Sequence, residues 1–255
     1  MLIMKKIILT ICVLSFGLSL SAQQNKKEGE VVYEETMKLN IRFEGMTEQM
    51  KERMPKERKT KQILYFNEEE SSYQASKEVS EENIPGQGRG GRGMRMMMGG
   101  SSGDNMVYLN FKDNLKIEQR EFMTRIFLIK EEAENGSWKL SGNQKMIMDY
   151  PCQEATKITE NDTISAWFTP AIPVPAGPSS FVNLPGLVLE VNINNGKRMI
   201  LAQKIDFKQI DKDLIAKPKK GKKVSKEEFQ KIVEEKMKEM GAERGGQGVM
   251  RIYRH

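Results

Sequence analysis

Val31, Tyr33, Met37, Leu39, Ile41 and Phe43 fall on alternate positions, with Glu35 the one break. A period of two puts successive side chains on opposite faces, so this pattern predicts a strand with one buried side. Lys61 to Asn67 and Ser72 to Val79 predict two more strands around the acidic turn Glu68-Glu69-Glu70. The same reading applies to Met106–Lys112, Leu115–Glu121, Phe122–Lys130, Trp138–Tyr150, Cys152–Thr159 and Ile164–Thr169, with Glu160-Asn161-Asp162 as a turn. The sharpest local signal is a hairpin. Leu187, Leu189, Val191 and Ile193 alternate with Val188, Glu190 and Asn192, Asn194-Asn195-Gly196 turns the chain, and Met199, Leu201 and Ile205 line the return. Strands this frequent, with no long helix between them, imply an antiparallel meander.

Two segments carry helical spacing. Met46, Met50 and Met54 repeat every four residues within the charged stretch Met46–Arg58, which reads as a loose helix or excursion ended near Pro55. Near the C-terminus, Ser225 and Glu228 form a capping box ahead of an apolar stripe of Phe229, Ile232, Val233, Met237 and Met240, with Gly241 as the stop. The expected fold is mainly β (α+β): a large curved antiparallel sheet of half-barrel kind, with one C-terminal amphipathic helix packed on it.

Residues 85–104 break the pattern. They are dense in glycine, arginine and methionine, and so many glycines cannot offset the entropy of ordering, so a flexible loop is expected there. The organisation read from the chain is residues 1–22 as a signal peptide and 23–215 as the β domain. A basic linker, a helix over 225–240 and a loose tail follow within 216–255. The signal reading rests on Lys5 and Lys6, an uncharged run of about 14 residues from Ile7 to Leu20, and Ser21-Ala22 before the polar Gln23. That run is short of the ~20 residues a spanning helix needs, so cleavage after Ala22 and export to the periplasm, outer membrane or beyond are expected rather than a membrane-spanning protein.

Composition narrows the chemistry. Removing Lys5 and Lys6 takes the formal charge from +6 to +4, and much of the excess lies in Lys217, Lys219, Lys220, Lys222 and Lys223. Aromatic residues are not interleaved with these lysines, so no nucleic-acid partner is expected and the run reads as a solvated stretch. Beyond the leader the single cysteine is Cys152, so stability rests on packing rather than an internal disulfide. His255 is the one histidine, which leaves Cys152 without a base and rules out zinc sites built from His and Cys. No phosphate-gripping Gly-rich loop is present.

Asn183-Leu184-Pro185-Gly186-Leu187-Val188 carries a resemblance to the GLPGLI family of exported proteins of Gram-negative bacteria, with Asn183 for its first Gly and Val188 for its final Ile. Trp138 precedes Tyr150-Pro151-Cys152-Gln153-Glu154-Ala155, which is similar to the family's Tyr-x-Cys-x-Lys-Ala with Glu154 in place of Lys. Ala166-Trp167-Phe168-Thr169 then leads to Ile172-Pro173 and Gly177-Pro178, with Ser179 where the family has an aromatic residue. The resemblance is strongest from Trp138 to Ile205 and carries no catalytic residue, since the family has no assigned activity.

The resemblance implies an exported envelope protein, and a long apolar-lined sheet without evident catalytic groups leads to the expectation of a non-catalytic binding or interaction protein. Its partner would be an outer-membrane protein, a peptide or an apolar ligand held on the concave face of the sheet. Pro173, Pro175, Pro178 and Pro185 fix φ, and Gly177 and Gly186 add freedom, so this segment is a rigid crossing that either packs or forms a binding rim. As a rim it would offer Trp167, Pro178, Leu184, Pro185 and Gly186. No cofactor is expected, with one alternative: the thioethers of Met94, Met96, Met97 and Met98, and of Met106 beside them, suit copper(I). A second alternative is a hydrolase that uses paired carboxylates.

Overall fold

A computed structural model of the chain describes residues 26–39, 55–76, 105–133 and 138–243, together with 47, 49 and 52. The strands are β1 (Gly29–Lys38), β2 (Glu57–Phe66), β3 (Glu70–Ala75), β4 (Met106–Asn110), β5 (Leu115–Phe122), β6 (Arg125–Glu132), β7 (Lys139–Ile147), β8 (Tyr150–Ile158), β9 (Thr163–Thr169), β10 (Leu187–Ile193), β11 (Arg198–Asp206) and β12 (Lys222–Val224). The helix α1 (Lys226–Glu243) follows them. The expected leader and the Gly/Met-rich loop 85–104 lie outside the described residues.

Among the described residues, these twelve strands form one open sheet in the order β12-β6-β5-β4-β3-β2-β1-β11-β10-β9-β8-β7. Every pairing is antiparallel except β12 on β6. Two meanders are therefore joined by β1 and β11, which pair from Glu30↔Asp206 to Met37↔Arg198 with a bulge at Val32/Tyr33. The mainly β fold with its one C-terminal helix is as the alternation predicts.

Chain length shows that the sheet curls. Only residues 133–138 connect β6, second in the order, to β7, last in it. Seven chain steps span at most about 25 Å, whereas ten strand spacings laid flat cover about 48 Å. The two ends of the sheet must therefore approach one another. A strap, residues 170–186, lies in the space they enclose. Its Ile172, Val174, Ala176 and Leu184 are buried in the main core with Val31, Leu64, Phe66, Phe168, Val188 and Val191. Its Val182 packs instead with Leu109 of β4 and with Ala133. The apolar face expected to receive a ligand is thus filled by the protein's own strap.

Strand junctions follow backbone chemistry, not always where the sequence signals it. Asn194, Asn195 and Gly196 take φ of 51°, 54° and 79° at the β10–β11 turn, as the Asn-Asn-Gly run predicts. The stretch read as one strand from Trp138 to Tyr150 turns at Met148, φ 53°. β5 and β6 meet at Met123 and Thr124, φ 49° and 66°. Neither turn has the glycine or asparagine that marks such a conformation.

The basic stretch is not wholly a linker. Lys222↔Phe127, Lys223↔Leu128 and Val224↔Ile129 set β12 on β6, and Gly221 (φ +136°) lies so close to the Ile126 carbonyl that a Cβ would sit 2.9 Å from it. A short lysine-bearing strand suits a sheet edge, where charge blocks pairing with another chain. The capping box forms as predicted: the Ser225 amide donates to Glu228 at 2.9 Å and the Glu228 amide to the Ser225 hydroxyl at 3.1 Å. Helix α1 runs past Gly241 to Glu243. Phe229 anchors it edge-on to Phe127 and Phe122, centroids 5.3 and 6.3 Å away.

Candidate functional site

The side of β7–β10 facing away from the strap carries a polar constellation. Register places Glu154 opposite Trp167, and Trp167 opposite Glu190. Their neighbours Ala155, Ala166 and Val191 face the core. Lys145 pairs with Cys152, two residues from Glu154 and so on the same side.

β7 reaches this arrangement through a bulge. Its pairing with β8 jumps from Leu140↔Ala155 to Gln144↔Gln153, and Gly142 takes φ 84° within the loop so formed. The extra residues aim two polar side chains at one carboxylate. The Ser141 hydroxyl and the Asn143 amide each donate to Glu154 Oε2 at 2.7 Å. Ser165 of β9 donates to Glu154 Oε1 at 2.5 Å. These hydrogen bonds, Ser165 first, then Asn143 and Ser141, hold the Glu154 carboxyl below the usual range against a smaller effect of burial, with Lys145 adding to them.

Beside Glu154, the Lys145 ammonium donates to both oxygens of Glu190 at 2.8 and 2.7 Å. It also lies 4.2 Å from the centroid of the half-buried Trp167 ring. Cys152 is buried at this point, and burial pushes its thiol up to about 11 against the opposing influence of the Ile147 backbone and Lys145. A thiol so raised is no nucleophile at neutral pH.

This geometry does not set up a proton donor at Glu154, which is stabilised as a carboxylate. A glycosidase acid needs the opposite shift. What the face offers is an indole ring beside fixed carboxylates, an ammonium, an amide and hydroxyls. Sugars present apolar C–H faces together with hydroxyls that both donate and accept, which such a surface matches. Among the described residues no group of three or more His, Cys, Asp or Glu could hold a metal, and no helix is long and apolar enough to cross a membrane.

Of the residues proposed from the sequence as a binding rim, Trp167 alone belongs to this face. Pro178, Leu184 and Gly186 are buried in the strap and Pro185 is exposed at its end. The strap packs on the Val188 side of the sheet, where a Cβ on Gly177 would lie 2.9 Å from that of Val188. Val188 pairs with Phe168, so the strap and Trp167 are on opposite sides. Met94, Met96, Met97 and Met98 lie outside the described residues. Met106 starts β4.

Lys145, Glu190, Ser141, Asn143 and Ser165 were missed, because polar residues on alternate positions read as a solvated strand face. The signal was the strand register itself, which lines them up with Trp167, and Gly142 as a bulge marker.

Residues 113–230, which include this whole face, match the family described as N-glycanase peptide, N-terminal domain. No curated protein matches the chain. Two crystal forms of PNGF-II share the fold: the C2 form at a TM-score of 0.52 and the P21 form at 0.53, each 16% identical over 81% of this chain. The chain spans about a third of the length of those structures, 32% and 33%.

These findings correct the GLPGLI resemblance, and with it the reading as a non-catalytic GLPGLI-family binding protein. The physical reason lies in the strap. Gly186 takes φ 152° against the Thr169 carbonyl, where a Cβ would collide. Leu184-Pro185-Gly186-Leu187 therefore records the backbone demands of one turn, and demands of that kind do not specify an activity. Over the region that holds the polar face, the chain is similar to the N-terminal domain of N-glycanases.

Proposed function

We propose that the protein acts on N-glycosylated polypeptide in the manner of an N-glycanase, with the β7–β10 face holding the glycan. The Trp167 ring takes the C–H face of a sugar, and Glu154, Asn143 and the Lys145–Glu190 pair take its hydroxyls. The observation that carries this reading is Glu154. Its carboxylate is fixed by three donors from two strands, next to an aromatic ring on an open sheet face. Support for the glycan as ligand comes from the N-glycanase description matched over these same residues. The leader expected at residues 1–22 would place this work outside the cytoplasm, where glycosylated substrates are met.

The test is titration calorimetry of an N-glycosylated peptide, and of the same peptide without its glycan, with mass spectrometry of each mixture for freed glycan. Saturable heat with the glycosylated peptide alone, weakened roughly tenfold by Trp167→Ala, is expected. Equal heats from both peptides, or none and no freed glycan, would contradict the reading.

A further inference from the structure

The basic stretch is a fixed array of cations. Residues 216–226 hold six lysines and no acid, bracketed by Asp211 and Asp213 before and Glu227 and Glu228 after. Lys217, Lys219, Lys220, Lys222 and Lys223 are all exposed. Among the described residues these five form no ion pair. Both ends of the stretch are pinned. Ile215 is buried with Tyr108, Ile117, Leu128 and Ile210, and Phe229 is buried with Phe127 and Ile129. Between them the backbone pairs with β6.

We infer that this edge of the sheet is a docking surface for an anionic lipid bilayer. Three observations favour lipid over other polyanions. The cations are all lysine, compact point charges without the flat fork that grips a single phosphate or base edge. No aromatic residue stands among them to stack on bases. Leu214, three residues before Lys217, is 36% exposed at the end of a 3-10 turn, an apolar side chain at the margin of the patch. Lysines near an anionic leaflet add their attractions within a Debye length. A patch already held by the fold loses less conformational freedom on docking than a loose tail would. This surface does not depend on the glycan reading, since α1 and β12 share no residue with the β7–β10 face.

The test is co-sedimentation of the protein with vesicles of phosphatidylcholine and phosphatidylglycerol in equal parts, and with vesicles of phosphatidylcholine alone. Binding to the anionic vesicles only, falling as salt rises, is expected. Changing Lys219, Lys220, Lys222 and Lys223 together to Gln is expected to weaken it roughly a hundredfold or more. Changing the same four to Arg keeps the charge and the fold, and keeps the binding. Leu214→Ser weakens vesicle binding and leaves any heparin binding unchanged. Equal binding to both vesicles overturns the inference. So does binding that survives the Gln variant, or lysine-dependent binding to heparin with none to vesicles.

Discussion

Lys145 of β7 donates to both carboxylate oxygens of Glu190 on β10, three strands away in the sheet order, and on the way its ammonium sits 4.2 Å from the Trp167 ring centroid. One side chain thus ties the last strand of the sheet to its interior. Replacing it tests this tie. Lys145→Met keeps the stem and removes the charge, leaving Glu190, mostly buried, without its ion pair. Lys145 itself is partly solvated, which reduces the effect. A loss of about 1 kcal/mol is expected in urea unfolding, with a changed Trp167 emission. An unchanged midpoint and spectrum would show the pair to be incidental.

A second polar cluster seats α1. Lys116 is buried between Glu118 and Glu131, 3.0 and 2.6 Å away, and Arg120 bonds Glu118 at 2.7 Å while lying 5.9 Å from the Phe229 ring. Burial opposes charge on both Lys116 and Glu118, but the neighbouring opposite charges and hydrogen bonds outweigh it, so Lys116 is raised and Glu118 lowered. Glu118 therefore contributes stability that is complete above its ordinary value of 4.5 and is lost as pH falls through its lower folded value. Lys116 contributes below its ordinary 10.5, and this is lost as pH rises through its higher folded value. Glu118→Gln is expected to lower stability at pH 7 and flatten the acid limb of a stability–pH curve relative to the unaltered protein. Parallel acid limbs would contradict this.

Cys152 should be inert. With its side chain buried and its thiol pushed up to about 11, Cys152 in a Cys12→Ser variant should not react with a disulfide reagent at pH 8, and one equivalent should react after unfolding in guanidinium. Rapid native labelling would mean that the β7–β8 region opens on its own.

Gly177 tests the strap. A Cβ there would run into the Phe181 carbonyl and lie 2.9 Å from the Val188 Cβ, neither free to move within the core. Gly177→Ala is expected to cost about 2 kcal/mol or more, read as a lower urea midpoint. A neutral substitution would mean that the strap is not packed as described.

The sequence displayed some of these relationships and hid others. Alternation in Leu187–Ile193 with Asn194-Asn195-Gly196 revealed β10 and β11, because one buried face and one left-handed turn each leave a residue signature. Ser225 and Glu228 revealed the start of α1 for the same reason. The turns at Met123-Thr124 and Met148 were hidden, since the pairing of their strands imposes positive φ on residues that do not prefer it. β12 was hidden because an edge strand with little to bury needs no apolar pattern. The strap's prolines were legible as rigidity, but not the side of the sheet they pack on. Of the polar face, only Trp167 stood out. Glu154 drew notice only as a departure from a motif, and its role follows from a bulge and a register that a single strand cannot display.

The most direct measurement is a ¹⁵N-labelled NMR titration with an N-glycosylated peptide, following the two indole signals. Trp138 is bonded through its ring nitrogen to the Val182 carbonyl at 3.0 Å and serves as the internal reference. The Trp167 indole should shift progressively to saturation while Trp138 stays still, with no shift for the peptide lacking its glycan. Movement of Trp138 alone, or of neither signal at saturating glycopeptide, would contradict the placing of the glycan on the β7–β10 face.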